Sequence, residues 1–373
     1  MKIDTLPLPD SAIDFLKSQG YEKLYPPQSD SVKFGLLNGK SILVSAPTAS
    51  GKTLIAMLAM LSYLSKNKGK VVYLSPLRAL AAEKFTEFKK LEKISIGNKI
   101  KTSISTGDFE HIEKNLENSN VLILTNEKMD SIIRHGAEWV DEIGLVISDE
   151  VHLIGDESRG PTLEMILTHL KLLDLKPQIV GLSATITNSD EIAKWLDCKL
   201  VKNDWRPVPL SEGVCDGGQV TMSDGKTFEV KPSLRGIPID LGVQCVQEGG
   251  QSLVFAATRV SSKSLATKAS DIISQFLQKK ELSALEKTSK QILAENEHTE
   301  IVKTLATLVK KGVAFHHAGL NQKCREIVEK EFRKGTIKLL SSTPTLAAGV
   351  NLPARRVVIS NINRYNAKIG ANR

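Results

Sequence analysis

Three adjacent residues, Gly51, Lys52 and Thr53, have the types and order of a phosphate-binding loop. They follow an apolar run and precede helix-forming residues, so backbone N–H groups and the positive end of a helix would face a phosphate. In the pattern G-x-x-x-x-G-K-[ST], the glycine lets the backbone approach, the lysine reaches the β- and γ-phosphates, and the hydroxyl binds Mg²⁺. We therefore predict a site for ATP and Mg²⁺. The loop residues that complete it are Pro47, Thr48, Ala49 and Ser50.

The first glycine of that pattern is replaced by Ala46. A small residue can stand there if its φ is negative, because only a positive φ strongly favours glycine. The substitution is therefore compatible with a phosphate site.

Two adjacent acids, Asp149 and Glu150, follow a second apolar run at residues 145–148. Two carboxylates at the end of a buried strand are costly unless a cation lies near them. We predict that Asp149 holds Mg²⁺ through water and that Glu150 orients or deprotonates the attacking water. With Lys52, these acids form the predicted catalytic set. His152 alone is weak evidence, because one histidine is more often packed than functional.

Short apolar runs alternate with helix-length segments, a pattern that predicts parallel sheets covered on both faces by helices. The predicted strands are residues 41–46, 71–75, 102–106, 121–125, 145–150 and 178–185, followed by 253–258, 313–318, 337–343 and 356–360. Residues 203–213 contain two prolines and no clear periodicity, which indicates a linker. We therefore predict an α/β protein of two domains, residues 1–202 and 214–373.

Two further segments of the second domain have their own patterns. Residues 214–230 contain Asp-Gly steps at 216–217 and 224–225, which predict a β-hairpin region. Residues 262–311 are dense in Lys, Glu, Leu and Ala, which predicts a long helical tract with solvated charged faces.

The composition limits the partners of the chain. Its 50 basic and 42 acidic residues give a net charge of +8, which suits a polyanion without requiring one. Only 5% of the residues are aromatic, so extensive base stacking is not expected. A nucleic-acid strand would instead be bound by backbone amides, hydroxyls and a few basic groups that contact its phosphates.

The four cysteines form no C-x-x-C pair, which predicts free thiols in a reducing cytoplasm rather than metal ligands. No apolar run has membrane-spanning length, so no membrane partner is predicted.

Taken in chain order, the motifs resemble those of the superfamily 2 helicases, whose phosphate loop begins with alanine where Ala46 stands. The matching segments are YPPQ (25–28), APTASGKT (46–53), PLRAL (76–80), STGD (105–108), TNEKMD (125–130), DEVH (149–152), SAT (183–185), VFAATR (254–259), FHHAGL (315–320) and TPTLAAGVNLPA (343–354). The resemblance covers nearly the whole chain, and the ordered set is specific although each motif alone is weak. It implies two tandem RecA-like domains with mostly parallel sheets, the second incomplete at its C-terminus.

The resemblance also implies roles for single residues. It assigns Gln28 to the adenine edge, and Gly349 and Asn351 to the nucleotide. The implied nucleic-acid contacts are Arg78, Thr106, Thr125, Lys128, Thr258 and Thr343. Each threonine could equally be the N-cap of the helix that follows it, and Arg78 could instead form a surface salt bridge.

Variants within the motifs narrow the resemblance. DEVH followed by RGP (159–161), together with FHHAGL and TLAAGVNLPA, is similar to the Ski2-like branch, and YPPQ, TNEKMDS and DWRPVPL are similar to archaeal DNA-repair helicases related to Mus-type and HELQ-type enzymes. This implies ATP-dependent 3′→5′ movement on single-stranded or forked DNA by a monomer in the cytoplasm, associated with the nucleoid. An exosome-associated RNA helicase would share every motif, and a nucleotide-gated binding module is a second alternative.

One family motif is missing from the sequence. Family members carry Q-x-x-G-R-[AG]-G-R shortly after the segment at 343–354, and its arginines reach the γ-phosphate. The sequence contains no such segment. We therefore expect a truncated chain with weak ATP turnover and no useful unwinding. The tail at 361–369 falls where the family has a strand-separating β-hairpin.

Overall fold

The structure is a computed structural model that describes residues 1–96, 98–107, 116–233, 235–346, 352–361, 365–366 and 371–372. It divides into two compact units, Met1–Leu210 and Ser211–Arg373. The division falls inside the segment 203–213 that the sequence indicates as a linker. Each unit is built on its own parallel sheet.

The first unit contains one seven-stranded sheet in the order β5-β6-β2-β7-β8-β1-β9. Every neighbouring pair in this sheet is parallel. Its strands, with a two-residue antiparallel pair β3–β4 beside them, are β1 (Ile42–Ser45), β2 (Lys70–Ser75), β3 (Ser95–Ile96), β4 (Asn98–Lys99), β5 (Thr102–Ser105), β6 (Val121–Thr125), β7 (Ile143–Ser148), β8 (Gln178–Ser183) and β9 (Lys199–Lys202).

Helices cover both faces of this sheet in the described part of the unit. They are α1 (Asp10–Ser18), α2 (Pro26–Lys33), α3 (Lys52–Lys66), α4 (Arg78–Phe88), α5 (Asn126–Arg134), α6 (Gly160–Lys171) and α7 (Ser189–Trp195). Alternation along each strand divides the core in two, because successive side chains point to opposite faces. Val71 and Tyr73 of β2 lie in one hydrophobic cluster, whereas Val72 and Leu74 lie in the other. Continuous apolar runs therefore form strands that are buried on both faces.

The strands of this sheet end in small hydroxyl residues. The last residues of its six strands other than β9 are Ser45, Ser75, Ser105, Thr125, Ser148 and Ser183. Because the strands are parallel, all of these ends lie at one edge of the sheet. The loops that leave this edge carry the phosphate loop and the acid pair, as is usual for ligand sites in open α/β sheets.

The second unit has a four-stranded parallel sheet in the order β14-β15-β13-β16. Its strands are β13 (Ser252–Phe255), β14 (Val313–His316), β15 (Leu339–Ser342) and β16 (Arg356–Ile359), and the described helices of the unit are α8 (Ile237–Gln247), α9 (Arg259–Ile273), α10 (Lys279–Ala294), α11 (Glu300–Lys310) and α12 (Gln322–Arg333). One hydrophobic cluster joins the sheet to these helices. The tract at 262–311, predicted as one long helical region, is three α-helices, and α10 and α11 pack their apolar sides into that cluster.

The unit begins with an antiparallel sheet of three strands, β10 (Gly213–Asp216), β11 (Gln219–Met222) and β12 (Thr227–Glu229). Gly217, Gly218 and Gly225 have φ values of +56°, +96° and +81°. The turns need left-handed backbone at these positions, which glycine adopts without steric cost. The predicted hairpin region is therefore present, with one strand more than a single hairpin.

Near the end of the chain, β17 (Tyr365–Asn366) pairs antiparallel with β18 (Ala371–Asn372). This backbone pairing begins within the segment in which the resemblance implied a β-hairpin. In the described part of the chain, no helix combines the length and the apolar character that crossing a bilayer demands.

Candidate functional site

The phosphate loop leaves β1 at Ser45 and enters α3 at Lys52. Ala49 and Gly51 have φ values of +67° and +83°, so the loop turns through left-handed backbone immediately before the helix. Ala46 does not have a positive φ, and its N–H donates to the Ser183 carbonyl at 3.2 Å. An alanine therefore fits where the general pattern has glycine.

The surroundings of Gly51 favour glycine, as its φ does. A Cβ at this position would overlap Gln28 Nε2 and displace the end of that side chain. That amide nitrogen donates to the Gly51 carbonyl at 3.1 Å, and Gln28 Oε1 accepts from the Tyr25 N–H at 2.7 Å. Gln28, predicted to contact adenine, thus joins the start of α2 to the phosphate loop. Beside it, the rings of Tyr25 and Trp205 lie 4.5 Å apart, so Trp205 packs within the first unit.

The Lys52 ammonium lies inside the phosphate loop. Its Nζ donates to the Ala46 carbonyl at 2.9 Å and to the Pro47 carbonyl at 3.2 Å. Burial lowers the pKa of Lys52, and the charges of Glu150 and Asp149 oppose that shift. The lysine of the loop and the acid pair are therefore close enough to interact electrostatically, although about a hundred residues separate them in sequence.

The acid pair is held at the end of β7. Asp149 is buried, and its Oδ2 accepts a 2.6 Å hydrogen bond from the Tyr73 hydroxyl. Its Oδ1 accepts from the Glu150 N–H at 3.0 Å. Burial raises the pKa of Tyr73 well above its usual value, so the phenol stays protonated as a donor. No sequence motif indicates Tyr73, and its only distinguishing feature is a phenol hydroxyl within the apolar run of β2.

Glu150 has an unusual backbone conformation. Its φ of +51° is rare for a residue with a side chain, and such strain concentrates at functional sites. Burial, followed by the charge of Asp149, raises the pKa of Glu150 above its ordinary value. His152 Nδ1 lies 3.3 Å from Glu150 Oε2, and burial lowers the pKa of His152, which favours the neutral imidazole. The geometry suits a carboxylate that orients water.

The residues present fit ATP and Mg²⁺. The Ser50 hydroxyl is fully buried in the loop and has no hydrogen-bond partner among the described atoms. The loop also offers the start of α3, the Lys52 ammonium and the Thr53 hydroxyl, which are the donor types and metal ligand of a phosphate site. Thr53 Oγ1 accepts a 2.7 Å hydrogen bond from Lys84 Nζ, a lysine that the motifs do not include.

The predicted strand contacts of the first unit follow the same edge of its sheet. Arg78 is exposed at the start of α4, and no described carboxylate lies within ion-pair distance of it. Thr106 is half-buried after β5. Thr125 caps α5 by accepting from the Lys128 N–H at 3.3 Å, and both Thr125 and Lys128 are buried. Thr125 therefore has the N-cap role that was left open for the threonines, and its contact with a nucleic-acid strand stays a prediction.

In the second unit, Thr258 caps α9 by accepting from the Ser261 N–H at 3.1 Å and remains exposed. Thr343 is buried, and its N–H donates to the His316 carbonyl at 3.2 Å. Gly349 and Asn351, predicted to contact the nucleotide, lie outside the described residues.

Comparison with known proteins decides the family. The chain matches the DEAD/DEAH box helicase model over residues 25–192 and the helicase conserved C-terminal domain model over residues 271–367. Together these matches cover most of the chain, and each falls within one compact unit. The chain belongs to the superfamily 2 helicases. Its predicted fold class, α/β with two tandem RecA-like domains, is confirmed.

The relatives of this helicase-family chain agree with the predicted branch. It is 44% identical over 372 residues to the ATP-dependent DNA helicase Hel308 of Methanocella arvoryzae, 43% over 366 to that of Pyrococcus horikoshii, and 43% over 382 to that of Caldivirga maquilingensis. These alignments cover 100%, 98% and 99% of this chain, but 50%, 49% and 48% of the relatives. The chain therefore spans about half the length of the curated relatives it matches.

Proposed function

We propose that the chain is the ATP-hydrolysing core of a DNA helicase. The observation that carries the proposal is the convergence of Lys52, Asp149 and Glu150 at the carboxyl edge of one parallel sheet, with their charges acting on one another. Phosphoryl transfer needs this combination, because its catalysis consists mostly of positioning and charge stabilisation. The names of the relatives support DNA as the polymer.

Each residue of the site has a defined role in the proposed reaction. Lys52 binds the β- and γ-phosphates after leaving the loop carbonyls that it contacts. Thr53 and Asp149 hold Mg²⁺, which when bound neutralises developing phosphate charge. Tyr73 fixes the orientation of Asp149 through the 2.6 Å hydrogen bond. Glu150 orients the attacking water and accepts its proton.

The proposed substrate is single-stranded or forked DNA in repair and replication restart, on which a monomer moves in the 3′→5′ direction. ATP binding and product release would make the two RecA-like domains bind the strand tightly in turn.

Because the sequence as given contains no arginine motif after residues 343–354, the 373 residues alone are expected to hydrolyse ATP slowly.

The polymer is tested by phosphate release in the presence of DNA or RNA single strands of equal length and sequence. We expect DNA to stimulate ATP hydrolysis more than RNA does. Stronger stimulation by RNA would favour the exosome-associated type of RNA helicase. Hydrolysis that neither polymer stimulates would contradict a helicase core and favour a binding module.

Arg78→Ala tests the predicted strand contact. Removing one phosphate contact should weaken binding of an oligothymidylate about three- to tenfold and should reduce the slope of log affinity against log salt by about 0.7. The measurement is fluorescence anisotropy at several salt concentrations. Lys226→Ala is the matched control, because Lys226 is exposed and already paired with Asp224 in the second unit. An unchanged salt slope in Arg78→Ala would exclude Arg78 as a phosphate contact.

A further inference from the structure

A second lysine, Lys84 of α4, lies beside the phosphate loop and outside every motif that the sequence resembles. Its Nζ donates a 2.7 Å hydrogen bond to Thr53 Oγ1. Thr53 is the residue whose hydroxyl would coordinate Mg²⁺. The ammonium of Lys84 is thus hydrogen-bonded to the oxygen that would coordinate Mg²⁺.

The placement of Lys84 differs from that of an ordinary surface lysine. Its side chain is 11% exposed, and burying an ammonium costs free energy unless the charge is paired. Two carboxylates of the same helix are near, with Glu87 Oε2 at 3.4 Å and Glu83 Oε1 at 3.9 Å. Both are farther from Nζ than the neutral hydroxyl of Thr53. The shortest hydrogen bond of the ammonium is therefore the one to the metal-binding oxygen, and the ion pairs within its own helix are longer.

The charge of Lys84 also affects the pKa values of the catalytic residues Lys52 and Glu150. Burial is the main cause that lowers the pKa of Lys52, and Lys84 adds to that lowering. Burial raises the pKa of Glu150, and Lys84 acts against that rise together with Lys52. Lys84 is thus a second positive charge in the nucleotide site.

We propose that Lys84 and Mg²⁺ compete for the hydroxyl of Thr53, so that Lys84 supplies the positive charge when a nucleotide binds without the metal. This inference rests on the proposed ATP site. Two cations on one oxygen repel each other strongly in a poorly solvated site, so metal binding requires the ammonium to leave. Glu83 and Glu87 are the carboxylates to which it turns. Lys84 is a positioning residue for the metal, not a catalytic one.

Lys84→Met tests the competition, because it removes the charge and keeps the length of the side chain. Affinity for ADP in EDTA should fall about tenfold, the effect of losing one interaction with a charged group. Affinity for ADP at saturating Mg²⁺ should stay within about threefold of the unmodified chain or increase, because no ammonium has to be displaced. The factor by which Mg²⁺ strengthens ADP binding should therefore grow about tenfold. Calorimetric titration of the 373-residue chain with ADP, in EDTA and in Mg²⁺, measures that factor.

Three further proteins complete the experiment. Lys84→Arg keeps a cation and should restore most of the ADP affinity in EDTA, which a purely structural role would not require. Lys90→Met, an exposed lysine just beyond α4, should behave as the unmodified chain. If Lys84→Met does not fold, Lys84→Gln replaces it with the same expected factor.

The outcomes separate this inference from the function on which it rests. An equal Mg²⁺ factor in Lys84→Met and in the unmodified chain would overturn the competition and leave the ATP site intact. Failure of the unmodified chain to bind ADP with or without Mg²⁺ would overturn the ATP site itself.

Discussion

Replacing Lys52 by alanine is expected to lower the affinity for Mg·ATP by at least about a hundredfold. The lysine would form two or more charge-assisted hydrogen bonds to phosphate oxygens, each contributing about 1.5–3 kcal/mol. A loss of about 3 kcal/mol corresponds to two powers of ten in the dissociation constant. Calorimetric titration with a non-hydrolysable ATP analogue measures the change.

The matched control for Lys52 is Lys68→Ala, an exposed lysine just beyond the far end of α3. It should bind Mg·ATP as the unmodified chain does. Single-stranded DNA binding by Lys52→Ala is a second readout, because the variant should keep its DNA affinity and lose the dependence of that affinity on nucleotide. Unchanged affinity for Mg·ATP in Lys52→Ala would refute the phosphate site.

Replacing Glu150 by glutamine should slow ATP hydrolysis about 10²–10⁴-fold and leave Mg·ATP affinity within about threefold. Glutamine keeps the size of the side chain and the strained backbone position, but it cannot accept a proton from water. Single-turnover phosphate release gives the rate, and equilibrium titration gives the affinity. Because the two quantities respond separately, the variant distinguishes a catalytic role from a binding role.

Glu164→Gln serves as the control for Glu150, since Glu164 is exposed on α6. It should hydrolyse ATP at the unmodified rate. If Glu150→Gln lost Mg·ATP binding and ATP hydrolysis in parallel, the role of Glu150 would be to stabilise the phosphate loop rather than to orient the attacking water. That outcome would assign proton transfer to another group.

The predicted parallel strands are all present, because continuous apolar runs specify strands that are buried on both faces. Strand β9 was not predicted, because the lysines at its two ends, Lys199 and Lys202, are typical of an exposed segment. Its backbone pairs with β1 at the sheet edge, and the position next to β1 rather than its composition makes it a strand. The helical tract at 262–311 was recognised as helical, but its breaks near Leu277 and Thr299 carry no strong local signal.

The phosphate loop and the acid pair could be predicted from the sequence, because each is a local pattern that follows an apolar strand, β1 or β7. The sequence did not determine which oxygens those groups contact. The hydrogen bonds from Tyr73 to Asp149 and from Lys84 to Thr53 join residues 76 and 31 positions apart. Such contacts form only when the order of strands in the sheet brings β2 beside β7 and places Lys84 of α4 near the start of α3. These hydrogen bonds follow only from the three-dimensional fold, because they depend on distances of a few ångströms that spacing along the chain does not contain.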